Sequence, residues 1–422
     1  MGALTDKLDL TALRAQFPVL GREINGQPLA YLDSGASAQK PEAVLRALDE
    51  YNRFGHANVH RGAHTLAAEA TEAYEGARAR IATHLGDGAG GAGGSGGAGE
   101  VIFTANFTDA ANLVAQAWGR ANLGPGDRIL LTEMEHHSNL VPWHMVAEAT
   151  GAELDWVGID ETGRLSEEDL AAGLAREPKL VTVTHISNVL GTINPIAEIT
   201  RRAHEAGALV FVDGAQAAPK MALDMGELGV DFYAFTGHKL YGPTGVGVLW
   251  GRRELLAAMG PYRGGGSMIR KVSRERITWA DPPARFEAGT PPIAEAVGLG
   301  AAVEWLEGAG IEAIAAHEKE LTAYALGRLG EVPGLRLFGP AEAEGRAGIL
   351  SFEIEGIHPH DVAEILNRHG VAVRAGHHCA QVLMQRLGVT ATTRASLAAY
   401  NTSAEIDRLI EGLADARRIF AL

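Results

Sequence analysis

From Glu100 onward the chain alternates short apolar runs with stretches of helical period, and this rhythm limits the fold more than any other feature. The runs Val101–Phe103, Arg128–Leu131, Glu153–Ile159, Leu180–His185, Leu209–Val212, Phe232–Phe235 and Val246–Trp250 read as strands. Between them, Ala110–Trp118 and Ile196–Ala206 repeat their apolar residues every three or four positions, and Gly207 closes the second. A helix between two strands returns the chain in the same direction. The runs are therefore predicted to form a mostly parallel sheet, buried by helices on both faces.

After Pro291-Pro292 the rhythm changes. Long helices are predicted over Ile293–Glu307 and Ile311–Leu329. Strands follow at Leu335–Phe338, Ile349–Ile354 and Val371–Val373, then a last helix over Ala404–Phe420. The fold class is α/β: a large domain with a mostly parallel seven-stranded sheet, joined to a smaller α+β C-terminal domain. Residues 31–290 are expected to form the large domain and 291–422 the small one, with 1–30 packing on the small domain. Residues 86–99 are almost all Gly, Ala and Ser, and read as a flexible surface loop. This tract follows the helix Thr71–Leu85 and precedes a strand, the wrong order for a phosphate-cradling glycine loop.

The net charge of −15 argues against a nucleic acid held through its phosphates, which needs clustered positive charge. No apolar run approaches the ~20 residues that span a membrane. The N-terminal spacing of Leu10, Leu13 and Phe17 is amphipathic rather than that of a signal peptide. Cys379 is the one cysteine, so no internal disulfide can form. A cytoplasmic protein without membrane or nucleic-acid partners is expected.

The sharpest chemical cluster is Thr236-Gly237-His238-Lys239, after a strand whose neighbour ends in Asp213-Gly214-Ala215-Gln216. Ligands of open α/β sheets sit beyond the carboxyl ends of strands, so Asp213 and Lys239 are placed to face one ligand. A carbonyl cofactor needs a lysine for its Schiff base. A pyridine ring used as an electron sink needs a carboxylate against its nitrogen. Taken singly, Lys239 reads as a solvated lysine and Asp213 as a helix cap. His136-His137 offers a ring to stack on a planar cofactor, or simply a polar loop. Thr108-Asp109 opens a helix whose free N–H groups suit a phosphate, or is an ordinary N-cap.

Cys379 stands in Arg374-Ala375-Gly376-His377-His378-Cys379-Ala380. A lone cysteine is usually a small buried hydrophobe. Here the polar Gly/His setting between a strand and a helix favours a reactive thiolate, with nearby His or Arg charge lowering its pKa. Three adjacent residues rarely converge on one ion, so no metal site is predicted. Arg394 is a candidate clamp for a carboxylate, or a surface salt bridge.

These motifs together carry a resemblance. The chain is similar to the pyridoxal-phosphate-dependent class V aminotransferases, and within them to the SUF-type cysteine desulfurases, close to the selenocysteine lyases. The likeness runs from Phe17-Pro18-Val19-Leu20 to the last helix. It rests on Tyr31-Leu32-Asp33-Ser34, His60-Arg61-Gly62, Glu135-His136-His137-Ser138-Asn139, Thr184 to Gly191, Val212 to Gln216, Gly237 to Pro243, Phe286 to Thr290, and Arg374 to Ala380. It implies the type I fold of pyridoxal-phosphate enzymes. Lys239 would hold the cofactor, Asp213 its ring nitrogen, Gln216 its ring oxygen and His136 its face. Thr108, Thr236 and His238 would hold its phosphate, and Thr290 would reach the phosphate of the other subunit of a homodimer. Asn188 and Arg394 would bind the carboxylate of L-cysteine, with Arg374 and His60 nearby. Cys379 would take the sulfur as a persulfide, leaving alanine, and hand it to a SUF-type acceptor protein (SufE-like or SufU-like) for iron–sulfur cluster assembly.

Two other readings differ in kind. One is another reaction on the same scaffold, a selenocysteine lyase or an aminotransferase. The other is a non-catalytic cofactor-binding scaffold for a sulfur carrier. The chain departs from the family at Phe107, where a small residue or threonine is usual, and at Pro292 and Glu295. Phe107 is therefore expected to alter the contacts of the phosphate.

Overall fold

The computed structural model describes residues 8–86 and 97–422. Of the glycine-rich tract, residues 87–96 lie outside the described residues.

Seven strands form the main sheet: β1 (Val101–Thr104), β2 (Arg128–Thr132), β3 (Glu153–Val157), β4 (Leu180–Thr184), β5 (Leu209–Asp213), β6 (Phe232–Thr236) and β7 (Gly247–Gly251). Their spatial order is β1-β7-β6-β5-β4-β2-β3. Only β7 runs antiparallel, against both its neighbours. Strands β1, β4, β6 and β7 are buried along their whole length, as a sheet covered on both faces requires. Two apolar clusters account for that burial. One contains Val181, Val183, Val210, Val212 and Tyr233; the other contains Ile129, Leu131, Phe211, Phe232 and Ala234. The alternation of residues 210 to 212 between clusters is the period of a strand, with successive side chains on opposite faces.

Helix α1 (Phe107–Val114) follows β1 directly, and α2 (Ile196–Glu205) connects β4 to β5. Helix α3 (Ile293–Ala309) packs on the helices Glu42–Glu50 and Thr65–His84 of the sheet's own half of the molecule. Helix α4 (Ile311–Gly330) leads away to a second, antiparallel sheet. Its strands β8 (Leu335–Leu337), β9 (Ile349–Ile354), β10 (Arg374–Gly376) and β11 (Thr392–Ser396) lie in the order β8-β9-β11-β10. A separate apolar cluster, with Leu350, Phe352, Leu366 and Leu409, supports it.

The predicted strand at Val371 forms, but outside that sheet. Val371–Ala372 pairs in parallel with Ala30–Tyr31, tying the start of the described chain to its last quarter. Sequence reading gave neither β10 nor β11 as a strand. The short helix α5 (Gln381–Leu387) follows the cysteine loop, and α6 (Ser403–Ile419) ends the fold with a Thr402/Glu405 capping box.

Candidate active site

Strands β2, β4, β5 and β6 point their carboxyl ends at one cavity of about 420 Å³. Its walls include His136, Thr184, Asp213 and Thr236, each at or just beyond one of those ends. This is where an open α/β sheet presents a ligand.

Asp213 is the last residue of β5 and is 5% exposed. Its Oδ1 accepts from the Ala215 backbone N–H at 2.9 Å. Burial pushes its pKa up to about 6, against the pull of the Lys239 charge. Gly214 must be glycine for close approach: a Cβ there would lie 2.0 Å from the Tyr233 ring. Lys239 ends the turn after β6 and is partly open to the cavity. The protein around it displaces enough water to lower its pKa to about 8, with Asp213 opposing. A lysine so tuned is an amine nucleophile near neutral pH. Burial and then the Lys239 charge lower His136 to about 3, so its ring is neutral and free to stack. Its Nδ1 accepts from the Ser138 N–H at 3.1 Å, which fixes the ring.

At one end of the cavity stands the N-terminus of α1. Asn106 caps it, accepting from the Asp109 N–H at 3.0 Å. Thr108 Oγ1 lies 2.8 Å from Ser138 Oγ. Thr236 Oγ1 is buried, without a hydrogen-bond partner among the described residues. A buried hydroxyl left unpaired costs stability unless a ligand oxygen meets it. This orphan, beside a helix N-terminus, fits a phosphate group. Lys239, Asp213 and the neutral His136 fit the ring that would carry it. Phe107 also lines the cavity; its ring is buried, 6.1 Å from that of Phe211.

The small sheet supplies the opposite wall. Arg374 and Arg394 are paired across β10 and β11, and both line the cavity. With Lys239 they make a locally cationic site in an acidic protein. Arg394 is fully buried. Its Nη1 donates to the Asn188 carbonyl at 2.8 Å and its Nη2 lies 3.4 Å from Asp33. Its Nε has no partner among the described residues. Asn188 Nδ2 donates in turn to the His378 carbonyl at 2.8 Å, and so holds the cysteine loop. Cys379 is half-buried. His378 and Cys379 take left-handed conformations, with φ of 51° and 56°.

Gln216 and His238 also line the cavity, Gln216 anchored by donation to the Gly35 carbonyl at 2.8 Å. Burial lowers His238 to about 4. His60 and Thr290 are exposed and are not among the residues lining it. His60 instead pairs with Glu75 at 2.8 Å. Sequence reasoning assigned no role to Glu135 or Asp33, although both stand inside quoted motifs. Glu135 is buried and takes bonds from Thr132 Oγ1 at 2.6 Å and the Thr184 N–H at 2.9 Å. The available signal was an acid three residues past the strand-end Thr132.

Comparison with known proteins now decides the family. Residues 30–409 match the aminotransferase class-V family. The chain belongs to this family. It is 51% identical to a probable cysteine desulfurase of Halalkalibacterium halodurans, over 97% of this chain and 98% of that one. It is 46% identical to a cysteine desulfurase of Haloferax volcanii, over 98% of each chain. Among solved structures, the cysteine desulfurase CsdA of Escherichia coli superposes with a TM-score of 0.87 at 39% identity, covering 97% of this chain and 99% of its own. The apo cysteine desulfurase of Thermococcus onnurineus NA1 gives 0.91 at 36% identity, with both chains fully covered. The architecture is the type I fold of pyridoxal-phosphate-dependent enzymes.

Proposed function

We propose that Cys379 takes sulfur from L-cysteine as a persulfide and passes it to a separate acceptor protein. The protein is a pyridoxal-phosphate-dependent cysteine desulfurase. The SUF-type branch, with a SufE-like or SufU-like acceptor and delivery to iron–sulfur clusters in the cytoplasm, is our finer reading. It is supported by the short Arg374–Cys379 motif. Among the described residues, no helix is long and apolar enough to cross a membrane.

One observation carries the placement of chemistry. Asn188 bonds the Arg394 guanidinium with its carbonyl and the His378 carbonyl with its amide. The group that would grip a substrate carboxylate and the loop that carries the thiol are thus held by one residue. Bound in the cavity, pyridoxal phosphate supplies an electron sink for charge developing at the substrate Cα. Thr108, Thr236, His238 and the α1 N-terminus would hold its phosphate, Lys239 its carbonyl carbon, Asp213 its ring nitrogen and Gln216 its ring oxygen. The neutral His136 would cover its face.

The substrate carboxylate meets the unpaired Nε of Arg394, with Arg374 adding charge from the neighbouring strand. As the free amine, Lys239 takes the proton from the substrate Cα. The Cys379 thiolate attacks the substrate sulfur. An S–S bond forms and the C–S bond breaks with its electron pair on Cβ, which takes a proton; Lys239 returns its proton to Cα, giving alanine. We assign the cofactor-holding groups to a large unit, residues 31–290, and the Arg394 and Cys379 groups to a smaller one, residues 291–422. We further assign Thr290 to the phosphate of the second subunit of a homodimer, with His60 nearby.

The test is direct. Purified, pre-reduced protein with added cofactor receives about one equivalent of L-cysteine with no reductant present, and alanine and protein-bound persulfide are measured. Both products at equal yield in the first turnover support the reading. Alanine without sulfur on Cys379 sinks it.

A further inference from the structure

The cysteine loop is held in a conformation that it would not keep unaided. Two consecutive non-glycine residues, His378 and Cys379, lie in the left-handed region, which L side chains rarely occupy. The helix that follows, α5, has alanine at its N-cap, and no side chain of its own caps it. The missing support arrives from a distant part of the chain. The His137 backbone N–H donates to the Cys379 carbonyl at 2.7 Å, and the Gln381 N–H donates to His137 Nε2 at 3.1 Å. His137 therefore brackets the cysteine, holding the residue itself and the first residue of α5. His377 closes the other side, its ring 5.6 Å from that of His137 and its Nδ1 accepting from the Cys379 N–H at 3.1 Å.

We infer that His137 is a positioning residue for Cys379, acting as a helix cap supplied from the loop that carries His136. Adjacent residues of one loop thus face the cofactor and set the nucleophile. Nε2 must keep its lone pair to accept from Gln381. Burial and His377 lower the pKa of His137, which keeps that lone pair free at neutral pH. The inference rests on the reading of Cys379 as the sulfur acceptor.

The experiment compares wild-type holoenzyme with His137→Ala and His137→Gln. Glutamine restores an acceptor at similar reach without an imidazole. Two quantities are read: hydrogen exchange of the Gln381 amide, and steady-state turnover of L-cysteine. His137→Ala is expected to speed Gln381 exchange about five- to tenfold, the equivalent of a lost cap. It is expected to lower kcat about tenfold or more, with KM within about twofold and the cofactor absorbance unchanged. His137→Gln should restore protection and most of kcat. Unchanged Gln381 exchange in the alanine variant overturns the inference. So does faster exchange with wild-type kcat, or a glutamine variant no better than alanine. Retained turnover in Cys379→Ala would instead sink the reading of the nucleophile, leaving the exchange result untouched.

Discussion

Glu135, whose pKa burial pushes up to about 8, accepts from the Thr184 backbone N–H at 2.9 Å through Oε1, pinning the loop of His136 to the end of the neighbouring strand. Asn139 Nδ2 donates to its other oxygen. Every one of these partners gives a hydrogen, so the site wants an acceptor on both oxygens. Glu135→Gln sets an amide donor against that of Asn139. The expected cost is about 1–3 kcal/mol of stability, from a buried donor left unpaired. Denaturant unfolding of the two proteins checks it, and equal midpoints would show that the pin is dispensable.

Arg394 offers one unpaired guanidinium nitrogen inside a site it otherwise fills with bonds to Asn188 and Asp33. Lysine keeps the charge but not the planar fork. Arg394→Lys should lower kcat/KM for L-cysteine by about ten- to a hundredfold, mainly through KM. The absorbance of the bound cofactor should stay. Kinetics with and without saturating substrate separate the two effects.

Lys239 has its pKa lowered to about 8, so the reactive free amine grows as pH rises through that value. The rate of cofactor uptake by the apo-protein should therefore climb between about pH 7 and 9 and level above it. Stopped-flow absorbance reads the rate. A climb centred near the ordinary lysine value instead would mean that water reaches Lys239 freely. Lys239→Ala should show no covalent uptake at any pH.

Cys379→Ala should keep the colour of the bound cofactor and lose all protein-bound persulfide, since the chain has no other cysteine. Intact mass after incubation with L-cysteine gives the answer: one added sulfur on the wild type, none on the variant.

Much of this was legible in the sequence because it follows from local pattern. The strand runs are apolar since both faces of the sheet are covered, and Asp213 and Lys239 stand out because they follow such runs. Strand β11 was not legible. It reads Thr392-Thr393-Arg394-Ala395-Ser396 and is buried throughout, yet it has neither apolar alternation nor turn signals at its ends. The two Nη groups of its Arg394 are held by residues far away in the chain, Asn188 and Asp33, which no local window contains. Val371–Ala372 looked like a member of the small sheet for the same reason, since the strand it pairs with lies at Ala30–Tyr31. Phe107 stands at the cavity as its position at the start of the helix implied, and its ring joins the apolar cluster of Phe211.

The contact between Asp33 and Arg394 spans 361 positions. On a ribosome, Asp33 and every cofactor-facing group from Thr108 to Lys239 emerge before either cavity arginine. The two cavity arginines come only with residues 374 to 394, so the groups proposed to hold the cofactor are made before those proposed to hold the substrate.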